Sequence, residues 1–313
     1  MDKLGILKPN RPYNFDLTLD LLERYTHPAL DVVYKGSYWR LLHSRGGLSL
    51  VRVESTGSID SPSLKLSLAM STCEPDKEDL TRQISHVLGI DDKVRKFYKM
   101  AKGDKNLWGI VKPLVGLRWL KMPTVFEALM YTIIEQQITW VKAQEAQHWL
   151  CEWGGQSLTH KKQAFYAFPR PRQIAKATVE DLRPLKITFK RIQAMIDIAK
   201  QVHSGELDLE AIRTLPPQEA YDRLTAIKGI GHWTATWTIQ RTLPGHNYVG
   251  YNDVALQAAT NRYFYQAEGK LPVADVKTTF DAYGDFAGLA AHYTLMRWVM
   301  DRYEVRMNGN RTD

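Results

Sequence analysis

The sequence of 313 residues contains only two cysteines, Cys73 and Cys151. Two thiols cannot build a disulfide framework, and the four cysteine ligands of an iron–sulfur cluster are lacking. No apolar run of eighteen residues is present for a membrane-spanning helix, and the N-terminus has no apolar segment of signal-peptide length. We therefore expect a soluble cytoplasmic protein with no membrane partner.

Sequence motifs of several common enzyme classes are also missing. The chain has no Walker-type phosphate loop, no HExxH zinc motif and no GxSxG nucleophile motif. These absences argue against a P-loop NTPase, a zinc metallopeptidase and an α/β-hydrolase. The activity, if there is one, must use a less common arrangement of residues.

The balance of charge favours a polyanionic partner. Lys and Arg number 42 against 34 Asp and Glu, which gives a formal net charge of +8. An excess of this size is typical of nucleic-acid-binding proteins but does not identify one, since many basic proteins bind no polyanion. A hydrophobic fraction of 44% in a chain of this length is enough for the cores of two domains.

The N-terminal third has the pattern of a small antiparallel sheet. Between about Val32 and Leu68, apolar and polar residues alternate in "YWRLLH", "LSLVRVES" and "LKLSLAM", and turn residues separate these segments. The preceding segment "NFDLTLDLLERY" has apolar residues at helical spacing, with Asp16 placed to cap the N-terminus of the helix.

After about Lys77 the hydrophobic period changes to that of α-helices. The whole of "VFEALMYTIIEQQITWVKAQEAQHWLCEW" fits a helical pattern, and no strand is expected between Val125 and Tyr303. We predict an α+β fold that is mainly α. Residues 1–105 would form an antiparallel sheet domain with flanking helices, and residues 106–313 a helical domain with a cleft between its two halves.

One short segment, "LTAIKGIGHWTA", joins two predicted helices, Pro217–Ile227 and His232–Arg241. Gly229 and Gly231 permit a tight turn and expose backbone amides beside the N-terminus of the second helix. Such a turn can bind a phosphate through main-chain N–H groups, and Lys228 adds positive charge. A plain turn between helices is the alternative interpretation.

This segment, the loop "LPGHNYVGYN" and the Asp253 that follows resemble the helix-hairpin-helix DNA glycosylase superfamily. The chain is most similar to its 3-methyladenine DNA glycosylase II members. The resemblance extends to "PYNFDLTLDLLERY", "FEALMYTIIEQQITWVKA", "FPRPRQIAKATVEDLRPLKITFKRIQAMIDIA" and "AAHYTLMRW". It implies a monofunctional glycosylase of base excision repair that flips and excises alkylated purines from duplex DNA.

The resemblance implies that Asp253 is the catalytic carboxylate. A carboxylate can stabilise the oxocarbenium character that develops on the sugar, and it can orient or deprotonate water. Asp253 can also cap the helix that follows, and the two roles are compatible.

Trp233 and Trp237 lie on one helical face and match positions of the base pocket in this family. Their π-faces would attract a cationic base there. The alternative is that they are core residues, as aromatic pairs at this spacing often are. Trp298 and Leu21 are further candidates for the pocket.

The resemblance also assigns the contacts with DNA. Gln137 aligns with the residue that is inserted into the duplex as a wedge, and a solvated glutamine at a helix end is the alternative. The hairpin residues expected to contact DNA are Lys228, Gly229, Ile230, Gly231 and Thr234. The carbonyl groups of Thr225, Ile227 and Ile230 match those that hold a structural Na⁺ or K⁺ in the family.

No other cofactor is expected. Position 233 carries Trp where the bifunctional members have the Schiff-base Lys, so cleavage of the abasic site is not expected.

Two alternative functions remain. The protein could excise a different damaged purine, deaminated or oxidised, or it could be a helix-hairpin-helix module that binds DNA without catalysis. A monomer that binds damaged double-stranded DNA is the favoured form.

Overall fold

The computed structural model describes residues 1–25, 29–243 and 248–309. The helices within these ranges are α1 (Phe15–Tyr25), α2 (Lys77–Val87), α3 (Arg95–Ala101), α4 (Lys105–Val111), α5 (Val125–Glu135), α6 (Trp140–Trp153), α7 (Pro171–Lys176), α8 (Phe189–Ser204), α9 (Pro217–Ala226), α10 (His232–Gln240), α11 (Val254–Phe264), α12 (Val273–Asp281) and α13 (Ala287–Gly309). The strands are β1 (Asp2–Leu7), β2 (Val32–Tyr34), β3 (Ser37–Ser44), β4 (Gly47–Ser55), β5 (Leu64–Ser71), β6 (Ser157–His160) and β7 (Gln163–Tyr166). Among the described residues, none of the helices is both long and apolar enough for a transmembrane span.

The predicted N-terminal sheet is confirmed. Five antiparallel strands pair in the order β1-β5-β4-β3-β2, and the pattern had indicated all of these except the edge strands β1 and β2. One face of the sheet packs against α1 and α2 through apolar side chains such as Leu42, Val51, Leu66 and Ile84. The N-terminus of α1 is capped by Asn14, whose Oδ1 accepts the backbone N–H of Leu17 at 3.0 Å. The prediction of Asp16 as the cap is wrong by two positions, because Asp16 lies inside the first turn.

The other face of the sheet is covered by a feature that the sequence pattern did not indicate. Strands β6 and β7 form an antiparallel hairpin in the helical part of the chain, and Phe165 packs against Trp39 of β3 at 5.4 Å between ring centroids. This finding corrects the prediction that no strands pair between Val125 and Tyr303. The physical reason is that Trp39, Leu41 and Leu50 form a second apolar face that must be covered.

The segment predicted as one helix across residues 125–153 is two helices. Helix α5 ends at Glu135, and Gln137 has φ +53°, a left-handed backbone conformation that no α-helix can accommodate. Helix α6 begins at Trp140. Thr139 is its N-cap, and the Thr139 hydroxyl accepts a hydrogen bond from the backbone N–H of Lys142. The residue assigned as the wedge, Gln137, therefore lies in a tight turn between α5 and α6.

The helices pack around two cores. One core contains α5 to α10, and the other contains α3, α4 and α11 to α13. In the second core the hydroxyl groups of Tyr98 and Tyr293 lie 2.6 Å apart, so α3 packs with the C-terminal helices and not with the sheet. A domain boundary at residue 105 stays a prediction, and the packing of α3 favours one nearer Val94.

A buried ion pair joins the sheet to the first helical core. Arg40 of β3, only 2% exposed, contacts Asp31 at 2.8 Å and also pairs with Glu127 of α5. Because two carboxylates lie beside one guanidinium group, the ion pairs offset only part of the negative charge, and burial raises the pKa of Glu127. The sheet is therefore fixed against α5, the helix that leads to the Gln137 turn.

Candidate active site

The predicted hairpin is present, with α9 and α10 as its two helices. Gly229 has φ +91°, a conformation in which a side chain would be strained, whereas Gly231 has φ −94° and is the N-cap of α10. Ile230, between them, is 5% exposed and anchors the turn in the first helical core, while Lys228 is exposed. The two glycines therefore have different structural roles.

The N-terminus of α10 presents free backbone donors. Its first intrahelical hydrogen bond runs from Ala235 N–H to the Gly231 carbonyl, so the N–H groups of residues 232 to 234 have no acceptor within the helix. A Cβ atom placed on Gly231 would have no atom within 4 Å, so the space beside the N-cap of α10 is open. This geometry suits an anion such as a DNA phosphate.

Thr234 takes part in this site only through its main chain. Its side chain is buried, and the Oγ1 atom accepts a hydrogen bond from Gln136 Nε2 at 2.8 Å. The prediction of Thr234 as a DNA contact is therefore restricted to its backbone N–H group. The side chain instead ties α10 to the turn that contains Gln137.

His232 connects the hairpin to the loop before α11. Its Nε2 lies 3.2 Å from the Val249 carbonyl and its Nδ1 lies 3.0 Å from the Tyr221 hydroxyl. Because a carbonyl can only accept, Nε2 carries the proton and the Tyr221 hydroxyl donates to Nδ1. Residues 244–247 of the predicted loop "LPGHNYVGYN" lie outside the described residues.

Asp253 is the N-cap of α11, as the sequence predicts. Its Oδ1 accepts the backbone N–H of Leu256 at 2.9 Å, and its Oδ2 accepts the indole N–H of Trp233 at 3.1 Å. Trp233 belongs to α10, which packs in the first helical core, whereas Leu256 of α11 packs in the second. The carboxylate is thus fixed at the junction of the two halves and remains partly exposed.

Aromatic rings extend away from this carboxylate. Trp233 contacts Trp237 at 6.1 Å, Trp237 contacts Trp119 at 5.5 Å, and Trp119 contacts His292 at 3.8 Å between ring centroids. The four rings come from α10, from the segment between α4 and α5, and from α13. A series of π-faces beside a fixed carboxylate is suited to hold a planar, electron-poor base.

The assigned wedge residue is exposed at the tip of its turn. Gln137 accepts a hydrogen bond from Arg191 Nη2 at 3.0 Å through its Oε1 atom. Partial burial lowers the pKa of Arg191, although a guanidinium group stays charged at neutral pH. Just before the turn, Glu135 pairs at 2.7 Å with Arg241, the C-cap of α10. The turn is therefore attached both to α8 and to the C-terminal end of α10.

Known proteins resemble this chain in both sequence and fold. No protein-family profile matches it. A DNA-3-methyladenine glycosylase of Bacillus subtilis is 32% identical over 180 residues, which are 58% of this chain and 59% of that relative. A second Bacillus subtilis protein, the putative DNA-3-methyladenine glycosylase YfjP, is 24% identical over 85% of this chain and 88% of its own length.

The solved structure of a 3-methyladenine DNA-glycosylase from Archaeoglobus fulgidus superimposes with a TM-score of 0.80, covering 96% of this chain and 98% of that one at 24% identity. The chain has the fold of the helix-hairpin-helix DNA glycosylases. The fold is also shared by the Clostridium acetobutylicum 8-oxoguanine glycosylase/lyase bound to DNA, with a TM-score of 0.67 and 18% identity over 99% of this chain and 100% of that one.

Two residues assigned to the base pocket do not belong to the series of rings beside Asp253. Trp298 packs edge-on against Tyr263 at 6.5 Å and lies beneath the guanidinium groups of Arg262 and Arg302. These partners belong to the later turns of α11 and to α13, away from the Asp253 end of α11. Leu21 is buried among the apolar residues of the second helical core. Trp298 is therefore not included in the pocket, and a pocket role for Leu21 stays a prediction.

Trp119 and His292 were missed by sequence reasoning. They are separated from each other by most of the helical region, and neither is at a helical spacing from the tryptophans of α10. The only local signal was an isolated Trp in "LRWLKMP" and a His within the apolar "AAHYTLMRW". Only the packing of α13 against α4 and the adjoining segment brings them together.

Proposed function

We propose that this protein is a monofunctional DNA glycosylase that excises alkylated purines, such as 3-methyladenine and 7-methylguanine, from duplex DNA. The observation that carries the proposal is the placement of Asp253. Its carboxylate is held by donors from two helices, beside an indole and within one loop of a main-chain anion site. The identity to a protein named DNA-3-methyladenine glycosylase supports the choice of substrate.

The proposed reaction needs the damaged nucleotide outside the base stack. The hairpin would hold a backbone phosphate, and Gln137 would occupy the space that the nucleotide leaves. As the bond between C1′ and the base nitrogen breaks, its electron pair goes to the base, which leaves neutral if it was cationic. Asp253 stabilises the positive charge on the sugar and accepts the proton of the water whose oxygen bonds to C1′.

Hydrolysis without strand cleavage is part of this proposal. A lyase reaction requires an amine that attacks C1′ and forms a Schiff base. At the position expected for that amine stands Trp233, whose indole nitrogen is not nucleophilic and already donates to Asp253. Borohydride reduction during turnover should trap no covalent complex between protein and DNA, and a trapped complex would contradict the proposal.

The decisive experiment compares the wild-type protein with Asp253→Asn on duplexes that contain one alkylated purine. We expect the variant to bind DNA normally and to lose about a hundredfold or more of the single-turnover excision rate, because a preorganised charge in a cleft contributes several kcal/mol. Heat-labile abasic sites would be measured on gels. Equal excision by both proteins would show that the catalytic carboxylate lies elsewhere.

A second candidate substrate class is an oxidised or deaminated purine. The fold is shared with an 8-oxoguanine glycosylase/lyase, which supports keeping this alternative. A panel of duplexes with 7-methylguanine, hypoxanthine and 8-oxoguanine separates the two classes by the base that is released. If the protein binds every duplex and releases no base, it is a DNA-binding module without catalysis.

The hairpin is also proposed to hold a monovalent cation. Carbonyl oxygens suit Na⁺ and K⁺, and the resemblance to the family assigns those of Thr225, Ile227 and Ile230 as the ligands. The Ile227 carbonyl already accepts the Ile230 N–H at 3.0 Å but retains a second lone pair. Exchange of K⁺ for tetramethylammonium at constant ionic strength should weaken DNA binding. Size-exclusion chromatography would test the expected monomer.

A further inference from the structure

Trp119 lies on a segment that is held firmly from both sides. Its neighbour Arg118 is buried and donates to the carbonyls of Asn10 at 2.6 Å and Pro12 at 2.8 Å. Lys121 pairs with Asp92 at 2.5 Å, so charged anchors flank the indole in sequence. A side chain on so constrained a backbone segment is positioned before any ligand arrives, which is how a binding wall is preorganised.

The segment is also joined directly to α10. The backbone N–H of Met122 donates to the Arg241 carbonyl at 2.7 Å, immediately after the last turn of that helix. Trp119 and the tryptophans of α10 therefore belong to one connected unit.

The three indoles differ in the surface that they can offer to a base. Trp237 is buried, with 9% of its surface exposed, because Trp233, Trp119 and the guanidinium group of Arg241 all lie around it. Trp233 and Trp119 are both partly exposed. A base can stack only on an accessible ring, so the sequence assignment of Trp237 as a wall does not fit its burial.

We propose that Trp119 is a specificity-determining wall of the base pocket, acting together with Trp233, and that Trp237 is the buried support behind both rings. His292 is assigned as a positioning residue, since its ring lies against Trp119 at 3.8 Å. This inference rests on the proposed function, because it names a second surface for the same extrahelical base.

The chemistry of this pair of walls favours electron-poor bases. An indole face attracts positive charge through its quadrupole, and a purine alkylated on a ring nitrogen carries that charge. Two accessible indoles would bind such a base more strongly than the neutral parent purine. The guanidinium group of Arg241 lies on Trp237 and is paired with Glu135, so its charge is compensated at the support and not presented at the walls.

The test compares Trp119→Ala and Trp119→Phe with Trp149→Ala, a control that removes another partly exposed indole, one that stacks on Trp153 in α6. We expect Trp119→Ala to lower single-turnover excision of 7-methylguanine about tenfold or more, and excision of neutral hypoxanthine less. Trp119→Phe should retain most of the rate, and the control should resemble the wild type. Binding to a duplex with a tetrahydrofuran abasic analogue, which carries no base, should stay within about twofold in all variants.

The positioning role of His292 is tested by a double-mutant cycle. His292→Ala should reduce 7-methylguanine excision less than Trp119→Ala does, and adding it to Trp119→Ala should cause no further loss, because its effect passes through the indole. Additive losses would overturn this assignment. Excision by Trp119→Ala at the rate of the control variant would overturn the role of Trp119. A loss of thermal stability together with a loss of binding to the tetrahydrofuran duplex would also overturn it, because it would indicate a structural role alone.

A catalysis-independent measurement separates this inference from the proposed function. Free 3-methyladenine is titrated into the protein, and binding is followed by isothermal calorimetry. We expect Trp119→Ala to weaken binding at least about tenfold relative to Trp149→Ala. Base binding that depends on Trp119 in a protein without excision activity would refute the proposed function and retain the wall. Excision activity that does not depend on Trp119 would support the proposed function and refute the role of Trp119 as a wall.

Discussion

The indole N–H of Trp233 donates to Oδ2 of Asp253 at 3.1 Å, while the backbone N–H of Leu256 donates to Oδ1. Each carboxylate oxygen therefore has one donor, and the two donors come from different helices. This arrangement fixes the rotation of the carboxylate without neutralising its charge, since both donors are uncharged. A carboxylate held in this way requires little reorganisation when positive charge develops nearby.

The Trp233 contact changes how the Asp253→Asn variant must be interpreted. Asn can accept from only one of the two donors, so the variant loses a hydrogen bond as well as the charge. We expect Trp233→Phe, which keeps the charge and removes the donor, to lower the excision rate by about tenfold, much less than Asp253→Asn. Single-turnover rates of both variants and of the double variant measure the two effects separately. Equal losses in the two single variants would assign the effect to orientation and not to charge.

The two hairpin glycines should respond differently to substitution. Gly231→Ala introduces a Cβ into open space at φ −94°, so we expect an unchanged melting temperature but weaker binding of damaged and undamaged duplexes alike, because the methyl group obstructs the phosphate. Gly229→Ala must adopt φ +91° and should lower the free energy of unfolding by about 1–2 kcal/mol. Calorimetric melting and fluorescence anisotropy measure both effects. If Gly231→Ala bound undamaged DNA normally, the main-chain phosphate site would be refuted.

Gln137 offers a test of the wedge in which folding is not impaired. Its φ of +53° is a conformation that glycine adopts freely, so Gln137→Gly should be at least as stable as the wild type. The same change removes the side chain that would fill the duplex. We expect slower excision and a smaller fluorescence rise from a 2-aminopurine placed beside the lesion, which reports unstacking. Wild-type unstacking by the glycine variant would mean that another residue is the wedge.

Gly250 lies where the loop before Asp253 passes the support indole. A Cβ at this position would lie 3.1 Å from Trp237 Nε1, and the Gly250 carbonyl accepts the Asp253 N–H at 2.8 Å. Gly250→Ala should displace the loop and with it the carboxylate, so we expect an excision rate lowered by about tenfold or more with little change in DNA affinity. The same assays on Gly5→Ala, at a glycine of β1 where a Cβ would have no atom within 4 Å, provide the control. A normal rate in Gly250→Ala would show that the loop tolerates the shift.

His86 predicts an acid-labile contact between α2 and the helical region. Burial and the neighbouring Arg213 lower the pKa of His86 to about 3, and Arg213 donates to its Nε2 at 3.1 Å. The unfolded chain binds this proton near pH 6.5, so the stabilisation is fully present above that pH and is lost as the pH falls toward 3. At pH 5 the loss should be about 2 kcal/mol. Urea unfolding measures the free energy of unfolding at each pH. Between pH 7 and pH 5 this free energy should fall less in His86→Gln than in the wild type. The same dependence on pH in both proteins would contradict the assignment.

Features set by local sequence were predictable, whereas features set by distant packing were not. The hairpin was found because Gly229 and Gly231 mark the turn directly, and Asp253 because a cap is a local property. The β6–β7 hairpin was missed because its turn places Lys161 and Lys162 at φ +47° and +70°. Such turns usually carry Asn or Gly, so the usual signal was missing.

The break at Gln137 and the wall at Trp119 illustrate the same limit. Glutamine is a good helix former, and nothing in "IIEQQITW" opposes a continuous helix, so the left-handed residue is imposed by the surrounding contacts. Trp119 and His292 meet only because α13 packs against the segment after α4. A spacing rule on a single helix can find Trp233 and Trp237, but it cannot tell which of the two is buried.

His232 fixes the distance between the hairpin and the loop that carries Asp253. One nitrogen holds the α9 side of the hairpin through Tyr221, and the other holds the loop of the carboxylate through Val249. In the proposed reaction, the phosphate bound by the hairpin and the sugar that loses its base would be separated by a constant number of nucleotides along one strand. On this proposal, a lesion beside a gap or a strand end that removes this phosphate should be excised slowly, because the hairpin would have no phosphate to bind.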